Sequence, residues 1–88
     1  MVNDQDSLVI KIVQSGELNK FVLSEKMLNR KLKDLLFPIL KELKLKEKDV
    51  FLSIESGKMI SSYYFNLTIK EIVEVYGTRL NLYSEKIM

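Results

Sequence analysis

The sequence predicts a small α+β domain in which short strands pack against one main helix. Three patterns carry that expectation. The run Leu8 to Val13 (LVIKIV) is β-branched and alternates in facing, and Asp49 to Glu55 (DVFLSIE) alternates again. Between them, leucines recur at helical spacing from Leu28 to Leu43.

In chain order, Leu8, Ile10 and Ile12 share the inward face of a first strand. Gln14-Ser15-Gly16-Glu17 supplies turn residues, and Asn19 to Leu23 returns as a second strand with Phe21 and Leu23 inward, making a hairpin. Leu28, Leu32, Leu35, Leu36, Ile39, Leu40 and Leu43 then fall within an arc of about 140° at the ~100° per residue of an α-helix. Ser24 or Asn29 can cap its start, because either side chain accepts from a free amide of the first turn; Asn29 is the favoured choice. Pro38 has no N–H to give residue 34, so the helix is expected to kink or stop near Phe37, while the apolar stripe keeps its phase beyond it. Val50, Leu52 and Ile54 share a face of the next strand, Ser56-Gly57 is a turn, and Lys58-Met59-Ile60 a short return strand. A short helical turn is expected around Ile69-Lys70-Glu71-Ile72. After the Tyr76-Gly77 turn, Thr78 to Tyr83 closes the domain with Leu80 and Leu82 inward.

Composition limits the chemistry. Eighty-eight residues make one domain, expected over 8–83, with a disordered tail at 1–7 and a short tail at 84–88. Apolar content of 47% and charged content of 30% are ordinary for a globular chain. The chain has no Cys and no His, which removes disulfides, thiolate chemistry, the usual metal ligands and any imidazole-based triad. No carboxylate pair stands at a readable catalytic spacing, and no phosphate loop, dinucleotide fingerprint or calcium loop occurs. No enzyme activity and no cofactor or metal are therefore expected. The polar, acidic start is unlike a signal peptide and no apolar run approaches ~18 residues, so a cytoplasmic location without a membrane span is expected.

The order of hairpin, helix, strand, Ser-Gly turn, short strand, irregular segment and last strand resembles the β-grasp of ubiquitin-like proteins over residues 8–83. Ile54-Glu55-Ser56-Gly57-Lys58-Met59-Ile60 looks like that fold's turn between the third and fourth strands. Leu67-Thr68-Ile69 leading to Gly77-Thr78-Arg79-Leu80-Asn81-Leu82 looks like its final helix and closing strand. The resemblance implies a mixed sheet of four or five strands with one main helix packed across it. Within the superfamily, Gly77 to Leu82, together with Phe21-Val22-Leu23-Ser24 and Lys31-Leu32-Lys33-Asp34-Leu35-Leu36, is similar to the YukD/EsaB group of type VII secretion loci. Phe37-Pro38 and the long 61–66 segment depart from that group. Conjugated ubiquitin relatives and sulfur carriers need a slender Gly-Gly terminus that can thread into an activating enzyme. This chain ends Ser84-Glu85-Lys86-Ile87-Met88 and contains no Gly-Gly, so a non-conjugated protein is expected.

Four aromatic residues are candidate partner contacts: Phe37, Phe51, Tyr64 and Tyr83. A continuous helix leaves Phe37 exposed, about 130° from the stripe centre; the preferred expectation is that a kink at Pro38 turns it into the core or over the sheet edge. In Ser62-Tyr63-Tyr64-Phe65, the three rings cannot all enter one small core, and an extended path would bring Tyr64 to the surface. The position of ubiquitin's sheet patch falls near Ser53, so Phe51 and Tyr83 could form a different patch, although a partly covered sheet face is preferred.

Residues 26–48 hold eight Lys/Arg against three acids, net +5, leaving −3 for the remainder. Arg30, Lys31, Lys33 and Lys41 define a possible basic face, whose ordinary role is a solvated helix surface. No aromatic is expected to interleave with these lysines as a stacking platform for bases. The resulting expectation is a protein-interaction module, by resemblance an accessory component of a type VII secretion system that meets cytoplasmic domains of its membrane machinery. A nucleic-acid-binding protein using the basic helix is the alternative, and a homodimer through a free sheet edge is a further option.

Overall fold

The computed structural model describes residues 7–84. The tails expected at 1–7 and 84–88 thus lie almost wholly outside the described residues, with two exceptions. Ser7 opens the first strand, paired with Val22, and Ser84 is buried, its carbonyl accepting from Gln14 Nε2 at 2.7 Å.

Strands β1 (Ser7–Ile12) and β2 (Glu17–Val22) form the expected antiparallel hairpin. Gly16 closes it at φ 77°, a left-handed geometry that a residue without Cβ adopts freely, with its N–H donating to Ile12 O at 2.7 Å. Leu8, Ile10 and Ile12 are buried as their alternation requires.

The helical stretch differs from expectation at its start. A first short helix, α1 (Glu25–Leu28), is capped by Ser24, whose Oγ accepts from Met27 N at 3.1 Å. Asn29, the expected N-cap, ends that helix instead. An N-cap needs extended backbone, which Ser24 has (ψ 166°), whereas Asn29 lies in the helical region and its amide donates back to Glu25 O. The main helix, α2 (Leu32–Leu43), begins after extended Lys31 with no side-chain cap. Leu32 N donating to Leu67 O and Ile69 N to Arg30 O hold this junction to the later chain.

Helix α2 runs through Pro38 without stopping. A proline inside a helix costs about 3 kcal/mol. Leu32, Leu35, Leu36, Ile39 and Leu40 are all buried on one stripe, and each full burial contributes about 1.5–3 kcal/mol. Packing therefore outweighs the break, and Asp34, to whose carbonyl Pro38 cannot donate, is exposed to solvent. Lys44 ends α2 in the left-handed region (φ 60°), with Leu45 N returning to Leu40 O at 2.9 Å.

A 3₁₀ turn over Glu47–Asp49 takes the first residue of the expected strand, so β3 spans only Phe51–Ser53. Gly57 (φ 94°) turns the chain into β4 (Met59–Ile60). The segment read as irregular is ordered: a 3₁₀ turn over Ser62–Asn66 buries Phe65 completely, and α3 (Ile69–Tyr76) is a full two-turn helix. Thr68 and Glu71 form a reciprocal capping box at its start. Finally β5 (Arg79–Tyr83) enters the middle of the sheet.

The sheet order is β2-β1-β5-β3-β4, with β1 and β5 parallel and the other pairs antiparallel. One core joins the inward strand residues to the α2 stripe, Phe65, Ile69 and Ile72. The chain thus has the ubiquitin-like β-grasp architecture, a mixed five-stranded sheet with α2 packed across one face. Among the described residues no helix is long and apolar enough to cross a membrane.

Candidate functional site

Three surfaces carry exposed aromatic side chains, one on α2, one on the outer face of the sheet and one on the Ser62–Asn66 turn. On α2, Lys33, Phe37 and Lys41 stand four residues apart, so they form one ridge along the helix. Phe37 is 66% exposed. The kink expected to turn it inward does not do so, because the unbroken helix keeps the leucine stripe and Phe37 on different sides. Together with Lys46 and Glu47 from the following loop, this ridge borders a groove of about 680 Å³ whose apolar lining is Phe37, Leu40 and Leu45. Lys33, Lys41 and Lys46 line it too, with Asp34 and Glu47.

The basic face is therefore divided. Lys33 and Lys41 share the groove, while Arg30 and Lys31 sit at the start of α2, exposed, with their backbones tied to the Leu67–Ile69 segment. The expectation that no aromatic interleaves with the lysines is overturned. Helical spacing sets Phe37 between Lys33 and Lys41, a four-residue pattern that the sequence already carries once the helix is taken as continuous.

On the outer sheet face, register places Phe51 of β3 opposite Tyr83 of β5. Their rings stack with centroids 5.3 Å apart and planes 30° off parallel. Phe51 is 40% exposed, and the Tyr83 hydroxyl lies 4.0 Å from the sulfur of exposed Met59. Tyr83 and Phe51 thus form the alternative patch, and Ser53 lies between Met59 and Asn81, across the sheet.

The Tyr63–Tyr64 pair is a third exposed aromatic group. Because the segment is a 3₁₀ turn and not extended, Tyr63 is the more exposed, at 81% against 42% for Tyr64. Their rings meet edge to face at 5.6 Å. Sequence reasoning chose Tyr64 alone; the available signal was Ser61, whose Oγ accepts from Tyr63 N and starts the turn. Leu18 and Val22, also exposed, lie on edge strand β2 and were not singled out, although alternation against buried Leu8 and Ile10 places them outward.

Titratable groups add no reactive constellation. Among the described residues, no group of three or more His, Cys, Asp or Glu is placed to hold a metal. Glu71 is held below its ordinary range because its carboxylate accepts from the Thr68 backbone N–H at 2.9 Å and from the Thr68 hydroxyl at 3.1 Å. That carboxylate closes a helix cap on an exposed surface, a structural task. No protein-family model and no curated protein matches the chain.

Proposed function

We propose that the chain is a non-enzymatic, non-conjugated ubiquitin-like interaction module that works by holding a protein partner. The observation that carries this reading is Phe37, a large aromatic held in solvent by a rigid helix beside a concave apolar groove. Exposed aromatics of this kind anchor interfaces, because they remove much apolar surface from water at small cost in side-chain entropy. The secretion context rests on the resemblance of Gly77-Thr78-Arg79-Leu80-Asn81-Leu82 to the YukD/EsaB group. On that basis the role is an accessory or regulatory one in the cytoplasm, with cytoplasmic domains of a type VII membrane machinery as partners.

Affinity capture from a native lysate, with and without nuclease, tests the proposal. The expected result is nuclease-resistant recovery of a membrane-associated complex that is lost with Phe37→Ala. Capture indifferent to Phe37 and to Tyr64→Ala sinks it.

A second reading, nucleic-acid binding, is favoured by the interleaving of Phe37 with Lys33 and Lys41, since a ring between cations can stack on a base. It predicts recovery that vanishes with nuclease and an affinity that falls steeply with salt, reduced by charge reversal at Lys31 and Lys33.

A further inference from the structure

We infer that the α2 groove takes a short acidic, amphipathic helical segment of the partner, an inference that rests on the interaction reading above. Charge and shape select this occupant. Lys33, Lys41 and Lys46 outnumber Asp34 and Glu47 in a lining that also holds Phe37, Leu40 and Leu45, so the complementary segment brings an apolar side chain together with carboxylates. The groove is concave, bounded by α2 on one side and the Lys46-Glu47 loop on the other, which suits an inserted side chain. Asp34 and Glu47 stand in the same lining. A peptide can set neutral or basic residues opposite them. A nucleic-acid backbone or an anionic bilayer brings negative charge to Asp34 and Glu47 as well as to the lysines, and so matches this mixed lining less well.

Spacing defines the motif. Lys33 and Lys41 are eight residues apart on one ridge, about 12 Å at 1.5 Å per residue, with Phe37 midway. A partner helix laid along that ridge matches it with an acid, three residues, a large apolar residue, three residues, and a second acid. The apolar residue packs on Phe37 and Leu40 while the two carboxylates reach Lys33 and Lys41.

The probe is a synthetic Ala-rich peptide of about 20 residues carrying that pattern with Glu and Leu, beyond the ~12–15 residues at which an isolated helix is marginal in water. Binding is followed by chemical-shift changes in the isotope-labelled full chain. Expected are shifts centred on Phe37, Leu40 and Leu45, and an affinity about tenfold or more weaker for Phe37→Ala or for Lys33→Glu with Lys41→Glu. Phe51→Ala, on the other surface, leaves the affinity unchanged. A peptide with Lys in place of both Glu recovers binding to the charge-reversed variant. Thermal melts of each variant confirm that it is folded.

The inference is overturned if the Lys-substituted peptide binds the native chain equally well, or if the shifts lie elsewhere. It is equally overturned if phosphatidylglycerol vesicles or a single-stranded RNA perturb the groove while the peptide does not. Failure of the peptide with Phe37-dependent capture intact removes the acidic-helix occupant alone; capture indifferent to Phe37 and to Tyr64 removes the interaction reading itself.

Discussion

Phe37 and Phe51 are both exposed phenylalanines, yet the fold treats them differently. Phe51 stacks on Tyr83 across a strand pair, so its ring is engaged within the sheet. Phe37 has no ring partner among the described residues and stands between lysines on a helix whose opposite side is fully used by the core. One aromatic thus contributes to folding and is only incidentally visible. The other contributes little to folding and is available. An exposed aromatic becomes informative about function when no intramolecular contact explains it.

Substitutions at six positions test how far that contrast holds. The largest effect is expected at a third phenylalanine, Phe65, which is fully buried under the 3₁₀ turn. Phe65→Ala should cost about 3–5 kcal/mol in urea unfolding, from lost transfer energy and the cavity left behind. A loss below about 1 kcal/mol would mean that the turn is not anchored in the core.

Next is Thr68→Ala, which removes a helix cap from neither surface and should cost about 1 kcal/mol while leaving peptide binding unchanged. The companion Glu71→Ala carries a pH signature. Glu71's folded value lies below its ordinary 4.5, so its stabilisation is present above that value and is lost as pH falls through the depressed folded value. The stability gap between native chain and Glu71→Ala should accordingly close on acidification. A gap that persists well below the folded value would show that the carboxylate's charge is not the cause.

The Phe51–Tyr83 pair should show a coupling of about 0.5–1.5 kcal/mol in a double-mutant cycle of alanine variants. Additive single effects would remove the distinction between the two surfaces. Phe37→Ala is expected to have the smallest effect on stability, within about 0.5 kcal/mol, and the largest on partner binding. If Phe37→Ala melts like a core variant, the exposed ring is structural and the proposed site loses its anchor.

Much of the fold was legible because strand and helix periodicities differ. The inward sets Leu8-Ile10-Ile12 and Leu80-Leu82 follow from alternation alone and are buried, while of Val50, Leu52 and Ile54 the first two are buried and Ile54 is half-buried. The α2 stripe was equally readable, including its persistence past Pro38. The helix start was not, because Ser24 and Asn29 are chemically equivalent caps and only backbone conformation separates them. The ordered segment Ser62–Asn66 was missed for a related reason. Its structure depends on Phe65 finding the core, a contact between residues far apart in sequence.

For the candidate site, the sequence by itself determined the ingredients: a helix with one side apolar, an aromatic outside that stripe, a local excess of lysine, and no Cys or His. These are properties of spacing and composition, which local chemistry sets. Tertiary structure decided what they became. It kept α2 continuous through Pro38, so Phe37 stayed outward, and it brought the Lys46-Glu47 loop beside Lys33 and Lys41 to close a groove. It also stacked Phe51 on Tyr83 through a strand pairing that joins the two ends of the domain's second half. The reason is energetic: a proline penalty, a left-handed Lys44 and a choice between caps are each worth a few kcal/mol or less. Only the burial of a common core, summed over the whole chain, is large enough to decide among them.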